Sequence, residues 1–320
     1  MKPYIIAEIG SNHNGVLENA YKLIDVAKNS GASAVKFQLF KHNEFFGLSK
    51  QNYRELKKNE LPKKWLKKIE KYCNSKKIEL FFSVFGKTSL MMLNNLKTVK
   101  TVKIASSECT NLNLLSLVAR KFDKIILSTG MSLESDIVKA KEILELYGAK
   151  KIIVMHCVAD YPTKIKEMNL NYLKTLKNLN FFSIGLSDHS LTDISSLVSI
   201  GLGASYFEKH ITLNKQGVGP DNFYSMLPHE FKHYVKSLKD AKISLGRNKK
   251  IISFDEKKFG RRKGIYASKE LKKGQVITKN NIITKIPNIG IRDIYIDTIL
   301  GKKIKKTIHK NNPIFIENIE

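Results

Sequence analysis

The stretch of residues 181–210, FFSIGLSDHSLTDISSLVSIGLGASYFEKH, indicates the fold of the chain. Its two short apolar runs, at 182–186 and 204–207, have the length of buried strands. The residues between them carry apolar side chains at helical spacing, so this stretch predicts a strand–helix–strand unit. Such units build parallel sheets.

A histidine closes each of the two strands, His189 the first and His210 the second. Neighbouring parallel strands end at one rim, which is where βα barrels assemble their sites. A lone histidine is more often structural than a ligand, but two at equivalent strand ends favour a divalent metal site. Two imidazoles alone do not identify the metal.

The same alternation fills the chain on the N-terminal side of this stretch. Six further strands are predicted, with helical segments between most of them, at 4–9, 32–37, 78–82, 101–104, 124–127 and 151–155. Eight strand–helix units fit a closed barrel better than an open doubly wound sheet. We therefore predict an α/β fold, a (β/α)8 TIM barrel over residues 1–246.

The pattern changes after Gly246. Residues 247–261 read as a charged linker, and residues 262–320 contain short β-like runs and turns without a long helical period. We predict a small, mostly irregular domain there. At about 60 residues it is small for independent stability, so we expect it to pack against something.

The chain of 320 residues carries a net charge of +27. A basic surface can attract nucleic acid, but these lysines are spread along the whole chain on predicted helix faces, so we expect no nucleic-acid partner. Three scattered cysteines indicate reduced thiols in a cytoplasmic protein. No apolar run reaches the ~20 residues that cross a bilayer, and the N-terminus lacks a signal-peptide pattern. We expect no membrane partner.

Polar groups follow the predicted strands, so one rim of the barrel should collect them. A lysine within an apolar strand, such as Lys36, needs an anionic partner. That partner is either Glu8 or a neighbouring carboxylate, or a phosphate or carboxylate ligand held by two lysines and several serines; the set favours the ligand. The rim residues are Glu8, Lys36, Gln38, Ser83, Lys103, Ser106, Glu108, Ser128, His156, Ser187, His189, Glu208 and His210.

Some of these positions allow two interpretations. Glu8 and Glu108 are either acid–base or hydroxyl-binding groups, or only counter-ions of the lysines. Asp221, on a Gly/Pro turn after the last strand, either contacts substrate or is a turn residue. Tyr161, before Pro162, is either a site residue or a packed aromatic.

Several motifs occur in order along the chain: Ala7-Glu-Ile-Gly-Ser-Asn-His-Asn-Gly15, Val35-Lys-Phe-Gln38, Lys103-Ile-Ala-Ser-Ser-Glu108, Leu127-Ser-Thr-Gly-Met131, Gly185-Leu-Ser-Asp-His189, Phe207-Glu-Lys-His210 and Gly219-Pro-Asp221. Together they resemble the sialic acid synthases, that is, N-acetylneuraminate synthase and its nonulosonate relatives. The tail from Arg262 resembles their C-terminal antifreeze-like (SAF) domain. The likeness covers essentially the whole chain.

The resemblance implies condensation of phosphoenolpyruvate with an N-acetylated aldose, N-acetylmannosamine or a modified relative, giving a nonulosonic acid and phosphate. It implies a domain-swapped homodimer whose SAF domain covers the partner's active site. It also implies residue roles. His189 and His210 would hold Mn²⁺ or Mg²⁺, and Glu8, Lys36 and Lys103 would be catalytic. Phosphoenolpyruvate would bind Lys36, Ser83, Lys103, Ser106, Ser128 and Ser187, and the sugar would face Gln38, Glu108, Tyr161 and Asp221.

The chain departs from the family pattern at three informative positions. Val84 stands where a phosphate-binding threonine is common, and Ala159 replaces an asparagine near the phosphate. Ile286 replaces an arginine that, in the family, reaches from the partner subunit to the substrate's N-acetyl group. Ile286 therefore leaves one alternative, the same chemistry on a non-acetylated or unusual aldose. The basic charge of the chain leaves a non-enzyme alternative, a basic polysaccharide- or nucleic-acid-binding module.

Overall fold

The computed structural model describes residues 2–45 and 50–320. Eight parallel strands close into a barrel in chain order, which confirms the predicted (β/α)8 fold. The first and last strands pair directly and complete the closure. The strands are β1 (Tyr4–Gly10), β2 (Ala34–Leu39), β3 (Glu79–Val84), β4 (Thr101–Ile104), β5 (Lys124–Ser128), β6 (Lys151–Cys157), β7 (Ser183–Asp188) and β8 (Tyr206–His210).

Helices connect the strands on the outside of the barrel. Two of them were not predicted, α2 and α4, because the first has little apolar character and the second has only six residues. The strand predicted at 32–37 begins instead at Ala34, since Gly31 ends the preceding helix in the left-handed conformation at φ 83°. The barrel helices are α1 (Leu17–Ser30), α2 (Lys50–Asn59), α3 (Lys63–Lys76), α4 (Lys87–Met92), α5 (Leu112–Ala119), α6 (Glu134–Leu146), α7 (Tyr172–Asn178), α8 (Ile194–Gly201) and α9 (Pro228–Ser244).

Alternation along the strands sorts side chains into an outer core and a barrel interior. The helices bury their apolar faces on the outward residues; α1, for example, buries Ala20, Leu23, Ile24 and Ala27. A separate apolar layer fills the middle of the interior, formed by Ile6, Ala34, Phe81, Ile126, Ile153 and Met155. The barrel is therefore closed at its middle, and a site can form only at an end.

Residues 247–320 form a second compact unit. It contains the helices α10 (Phe254–Phe259) and α11 (Ile296–Ile299), and the antiparallel pair β9 (Gly264–Ala267) and β10 (Ile282–Lys285). The segment predicted as a linker, 247–261, lies inside this unit and holds α10. The unit has its own apolar core, made mostly of isoleucines such as Ile265, Ile277 and Ile314.

Within the described ranges, no helix combines the length and the apolar content that crossing a bilayer requires.

Candidate active site

The C-terminal mouth of the barrel, where the strands end, gathers charged residues from inward-facing strand positions. Glu8, Lys36, Lys103 and Glu208 come from four different strands, and each is at most 4 % exposed. Strand register places Glu8 beside both Lys36 and His210. Because residues two apart in a strand share a face, Glu208 and His210 point into the same mouth.

The four charges form one ion-pair network. Lys36 Nζ lies 2.7 Å from Glu8 Oε2 and 3.6 Å from Glu208 Oε1. Lys103 Nζ donates to both carboxylate oxygens of Glu208, each at 2.8 Å, and Ser187 Oγ donates to Glu208 Oε1 at 3.0 Å. The carboxylate partners of the lysines are thus Glu8 and Glu208 together.

The two carboxyl groups have very different pKa values. Burial raises the pKa of Glu8 to about 7, although Lys36 opposes the shift. Burial would also raise the pKa of Glu208, but Lys103 and Lys36 outweigh it and hold that pKa at about 2. Glu208 is therefore a permanent anion, while Glu8 can exchange a proton near neutral pH, as an acid–base group must.

The lysines also differ from one another. Burial would lower the pKa of Lys36, but its two carboxylate neighbours outweigh burial and raise it. For Lys103 burial prevails and lowers the pKa despite Glu208. Lys103 is nonetheless a charged donor, because its amine lies 2.8 Å from both oxygens of an ionised carboxylate.

A cavity of about 410 Å³ opens above this network. Two hydroxyls in its wall, Ser83 Oγ and Ser128 Oγ, are buried and have no hydrogen-bond partner within the part of the chain that the structure describes. Ser106 Oγ accepts from the backbone N–H of Gly130 at 3.0 Å. Unpartnered buried hydroxyls are uncommon and require an explanation. An anionic ligand beside the lysines supplies one, since its oxygens would accept from both serines.

Both predicted metal ligands line the cavity, with ring centroids 5.5 Å apart. His189 Nδ1 lies 2.9 Å from the carbonyl oxygen of Val158, so it carries the proton and leaves Nε2 as the ligand atom. His210 Nδ1 faces a carboxylate oxygen of Asp221 at 3.6 Å and the hydroxyl of Tyr224 at 3.5 Å.

This arrangement fits a divalent ion held by two protein ligands. Burial, reinforced by His189, lowers the pKa of His210 well below its usual range, so its imidazole is neutral. Burial would also lower the pKa of His189, but the adjacent Cys157 sulfur outweighs burial and raises it. A bound cation would therefore compete with a proton for this imidazole. Among residues 2–45 and 50–320, no cluster of three or more ligating side chains occurs. The remaining coordination positions would therefore stay open, as at a catalytic site.

Most of the other predicted residues also reach the cavity. Gln38 Nε2 donates to Glu8 Oε1 at 3.2 Å, and the Tyr161 ring packs on His189 at 4.2 Å. Asp221 and Ala159 line the cavity as well.

Three predicted positions lie elsewhere. Glu108 is not among the described residues that line the cavity; it accepts from Asn111 Nδ2 at 2.8 Å beside the start of α5. His156 points outward, with Nε2 2.6 Å from the carbonyl oxygen of Met168, because strand alternation turns Cys157 inward instead. Val84 packs in the outer core, so its departure from the family pattern does not alter the cavity wall.

Several lining residues were missed by the sequence analysis. Glu208 was placed at the rim without a role, although its spacing of two from His210 was a usable signal. Three phenylalanines, which we call the apolar wall, were not identified because they follow the strands in loops: Phe40, Phe45 and Phe85. Their ring centroids lie 5.5–5.9 Å apart.

Comparison with known proteins gives two family matches. The NeuB family model matches residues 23–250, and the SAF domain model matches residues 262–320. An uncharacterized protein of Methanocaldococcus jannaschii is 37% identical across 99% of this chain and 94% of its own. The N,N'-diacetyllegionaminic acid synthase of Campylobacter jejuni is 35% identical across 98% and 99%. The solved structure of N-acetylneuraminic acid synthetase from Leptospira borgpetersenii, in complex with citrate, has a TM-score of 0.75 and 33% identity, covering 81% of this chain and 90% of that one.

Proposed function

The chain belongs to the NeuB family, and we propose from this membership and from the site that it condenses phosphoenolpyruvate with an open-chain aldose. The products would be a nonulosonic acid and phosphate. Its relatives include synthases of such acids, so the chain is a C–C bond-forming transferase of the N-acetylneuraminate synthase type. The observation that carries the proposal is one cavity that holds two buried lysines, two imidazoles and two serine hydroxyls without a hydrogen-bond partner among the described residues.

Phosphoenolpyruvate suits the cationic side of this cavity because it carries a phosphate and a carboxylate. Lys103 uses two of its three ammonium hydrogens on Glu208, which leaves one for a ligand. Ser83 and Ser128 offer hydroxyl donors already stripped of water. Ser106 and Ser187, also in the wall, would complete the anion site.

We propose that His189 and His210 hold Mn²⁺ or Mg²⁺ through their Nε2 atoms. When bound, such an ion supplies Lewis-acid polarisation of the aldehyde carbonyl. The protein's part is to keep each ring in one tautomer, through the Val158 carbonyl for His189 and through Asp221 and Tyr224 for His210.

In the reaction, C3 of phosphoenolpyruvate forms a bond to the aldehyde carbon, water adds at C2, and the C–O bond to phosphate is lost. Lys36 and Lys103 would stabilise the charge that develops on the departing phosphate. Glu8, with a pKa of about 7, would exchange a proton with the reacting oxygens.

For the acceptor we propose an N-acetylated aldose, N-acetylmannosamine or a modified relative. Gln38, Tyr161 and Asp221 present hydrogen-bonding groups to it from the cavity wall. The apolar wall supports a second candidate, an aldose in which an apolar substituent replaces a hydroxyl. Phenylalanine rings offer no conventional hydrogen-bond partner, so burying a sugar hydroxyl against them costs free energy. Ile286, in place of the family's arginine, also favours an unusual acceptor.

The test is phosphate release from phosphoenolpyruvate with a panel of aldoses, followed by product mass. We expect release that requires an aldose and Mn²⁺, and that His189→Ala abolishes. His233→Ala, an exposed histidine on α9 outside the active-site cavity, is the matched control and should retain turnover. Phosphate release without aldose, or equal loss in both variants, would refute the proposal.

We also propose that the chain forms a homodimer, as its resemblance to the synthases implies. Light scattering should then give a particle of twice 36.5 kDa. A monomer that turns over at full rate would exclude a partner's contribution to the site.

A further inference from the structure

The outward faces of β7 and β8 carry a second pair of charges directly behind the two imidazoles. Asp188 precedes His189 and Lys209 precedes His210, and strand register sets Asp188 opposite Lys209. Both are buried, at 1 % and 2 % exposure, between the barrel and the helices α8 and α9. We call these two residues the outer clamp. Neither of them is among the described residues that line the cavity.

Every polar atom of the outer clamp is engaged. Lys209 Nζ lies 3.1 Å from Asp188 Oδ2 and donates to the carbonyl oxygens of Ser190 at 2.5 Å and Thr192 at 3.0 Å. Asp188 Oδ1 accepts from the Ser190 N–H at 2.9 Å, and its Oδ2 accepts from Ser196 Oγ at 2.8 Å. The clamp thus joins the ends of two strands, the loop after His189 and the first turn of α8.

His189 is held on both sides as a result. The residue before it, Asp188, belongs to the clamp, and the residue after it, Ser190, is hydrogen-bonded to the clamp. The carbonyl of His189 itself accepts from the Thr163 N–H at 3.1 Å. His210 is fixed through its neighbour Lys209. A buried ion pair is seldom worth more to stability than apolar residues of the same volume, so stability alone does not account for the clamp.

We propose that the outer clamp sets the separation and direction of the His189 and His210 imidazoles, and so determines affinity for the divalent ion. Asp188 and Lys209 are positioning residues, since they act through the histidines. The inference rests on the proposed role of those histidines as metal ligands.

If the outer clamp were purely structural, its loss would lower the melting temperature without changing the affinity for the ion. Glu70 serves as the matched control for that outcome. Glu70 is also buried, at 8 % exposure, and its carboxylate accepts from the N–H and the hydroxyl of Thr98 at 2.7 and 2.9 Å. It lies on α3, outside the cavity wall. Glu70→Gln removes a buried, hydrogen-bonded charge without touching the strands that bear the imidazoles.

The experiment measures Mn²⁺ binding to the full chain by electron paramagnetic resonance, together with the melting temperature of each variant. Asp188→Asn leaves Lys209 unpaired, and Asp188→Asn with Lys209→Met removes both charges. Ser196→Ala is a milder change for use if these fail to fold. Groups that hydrogen-bond directly to metal ligands are worth a factor of about 10–100 in affinity. Because the clamp acts on the histidines through the backbone, we expect the lower end of that range, a rise of about 10-fold in the Kd for Mn²⁺ in the clamp variants. Glu70→Gln should lower the melting temperature but leave that Kd unchanged.

Folded clamp variants that bind Mn²⁺ as tightly as the unmodified chain would overturn the inference while leaving the metal site intact. A different result tests the premise: if the unmodified chain binds no Mn²⁺, or if His189→Ala binds it equally well, the metal assignment is wrong and the clamp inference falls with it. The two failures are therefore distinguishable.

Discussion

Both ends of the barrel carry paired carboxylates and lysines. They differ in whether the polar side chains around these charges have hydrogen-bond partners. At the N-terminal end, Glu79 accepts from Tyr4 at 2.5 Å and from Thr101 at 2.6 Å, and lies 3.4 Å from Lys124 Nζ. The lysine rests on the Tyr4 ring at 4.6 Å. At the C-terminal mouth, Ser83 and Ser128 are left without partners among the described residues. A polar layer whose hydrogen bonds are all made within the protein serves structure. Polar groups left without partners mark a place where a ligand supplies them.

The largest expected effect on kcat comes from replacing the lysine at one end of the barrel by methionine, with the same replacement at the other end as the control. Lys103→Met removes the cation that pairs Glu208 and contacts the proposed phosphate, and losing one such donor to a transition state costs about 10³-fold in kcat. Lys124→Met removes the corresponding lysine at the other end and should leave kcat unchanged. Steady-state phosphate release measures both. Similar losses in the two variants would erase the distinction between the ends.

A second effect concerns acid stability near the C-terminal mouth. His13, in the loop after β1, is buried against Trp65 at a ring distance of 5.6 Å, and burial lowers its pKa to about 4. Since the unfolded imidazole titrates near 6.5, the unfolded state binds more protons between these values. The contribution of His13 to the free energy of unfolding, about 3 kcal/mol, is therefore fully present above pH 6.5 and is lost as the pH falls towards 4.

His13→Asn removes this titration while keeping an acceptor for the Gly15 N–H, which donates to His13 Nδ1 at 3.1 Å. Urea unfolding at several pH values should show a shallower loss below pH 6.5 in the variant. Parallel curves for the two proteins would show that another group carries the acid response.

The smallest effects come from single hydroxyls. Ser83→Ala and Ser128→Ala should each raise the KM for phosphoenolpyruvate about 10-fold, because hydrogen bonds to charged groups are worth about 1.5–3 kcal/mol. The free energy of unfolding should not fall, since neither hydroxyl has a hydrogen-bond partner to lose in the described ranges. Thr101→Val should do the reverse, costing about 1 kcal/mol of unfolding free energy with KM unchanged. If the serine variants were destabilised and kept their KM, those hydroxyls would be structural.

Periodicity was sufficient to predict the barrel, because eight buried strands at regular intervals admit few other folds. It was insufficient for α2, whose sequence KQNYRELKKN has little apolar character, and for the start of β2. Runs of apolar residues do not reveal where a left-handed glycine ends the preceding helix.

The part of the site that lies at the C-terminal ends of the strands was predictable, because the ends of parallel strands converge on one rim of the barrel. Strand alternation decides part of the rest: it sends His156 outward and Cys157 inward, and it turns Glu208 towards the lysines. Glu108 lies beyond the end of β4, in a short helical turn at Ser106–Glu108, so strand spacing does not place it. The roles assigned to Glu8, Lys36, Lys103 and the serines stay predictions. The apolar wall depends on loop conformation, which no sequence spacing encodes.

The most direct measurement is a calorimetric titration of phosphoenolpyruvate, without aldose, into the unmodified chain, Lys103→Met and Lys124→Met. We predict one site per chain in the unmodified protein and in Lys124→Met. In Lys103→Met we predict binding weakened by at least about 10-fold, because one charged donor to the anion is lost. Equal binding in all three would contradict the assignment of the C-terminal mouth as the anion site.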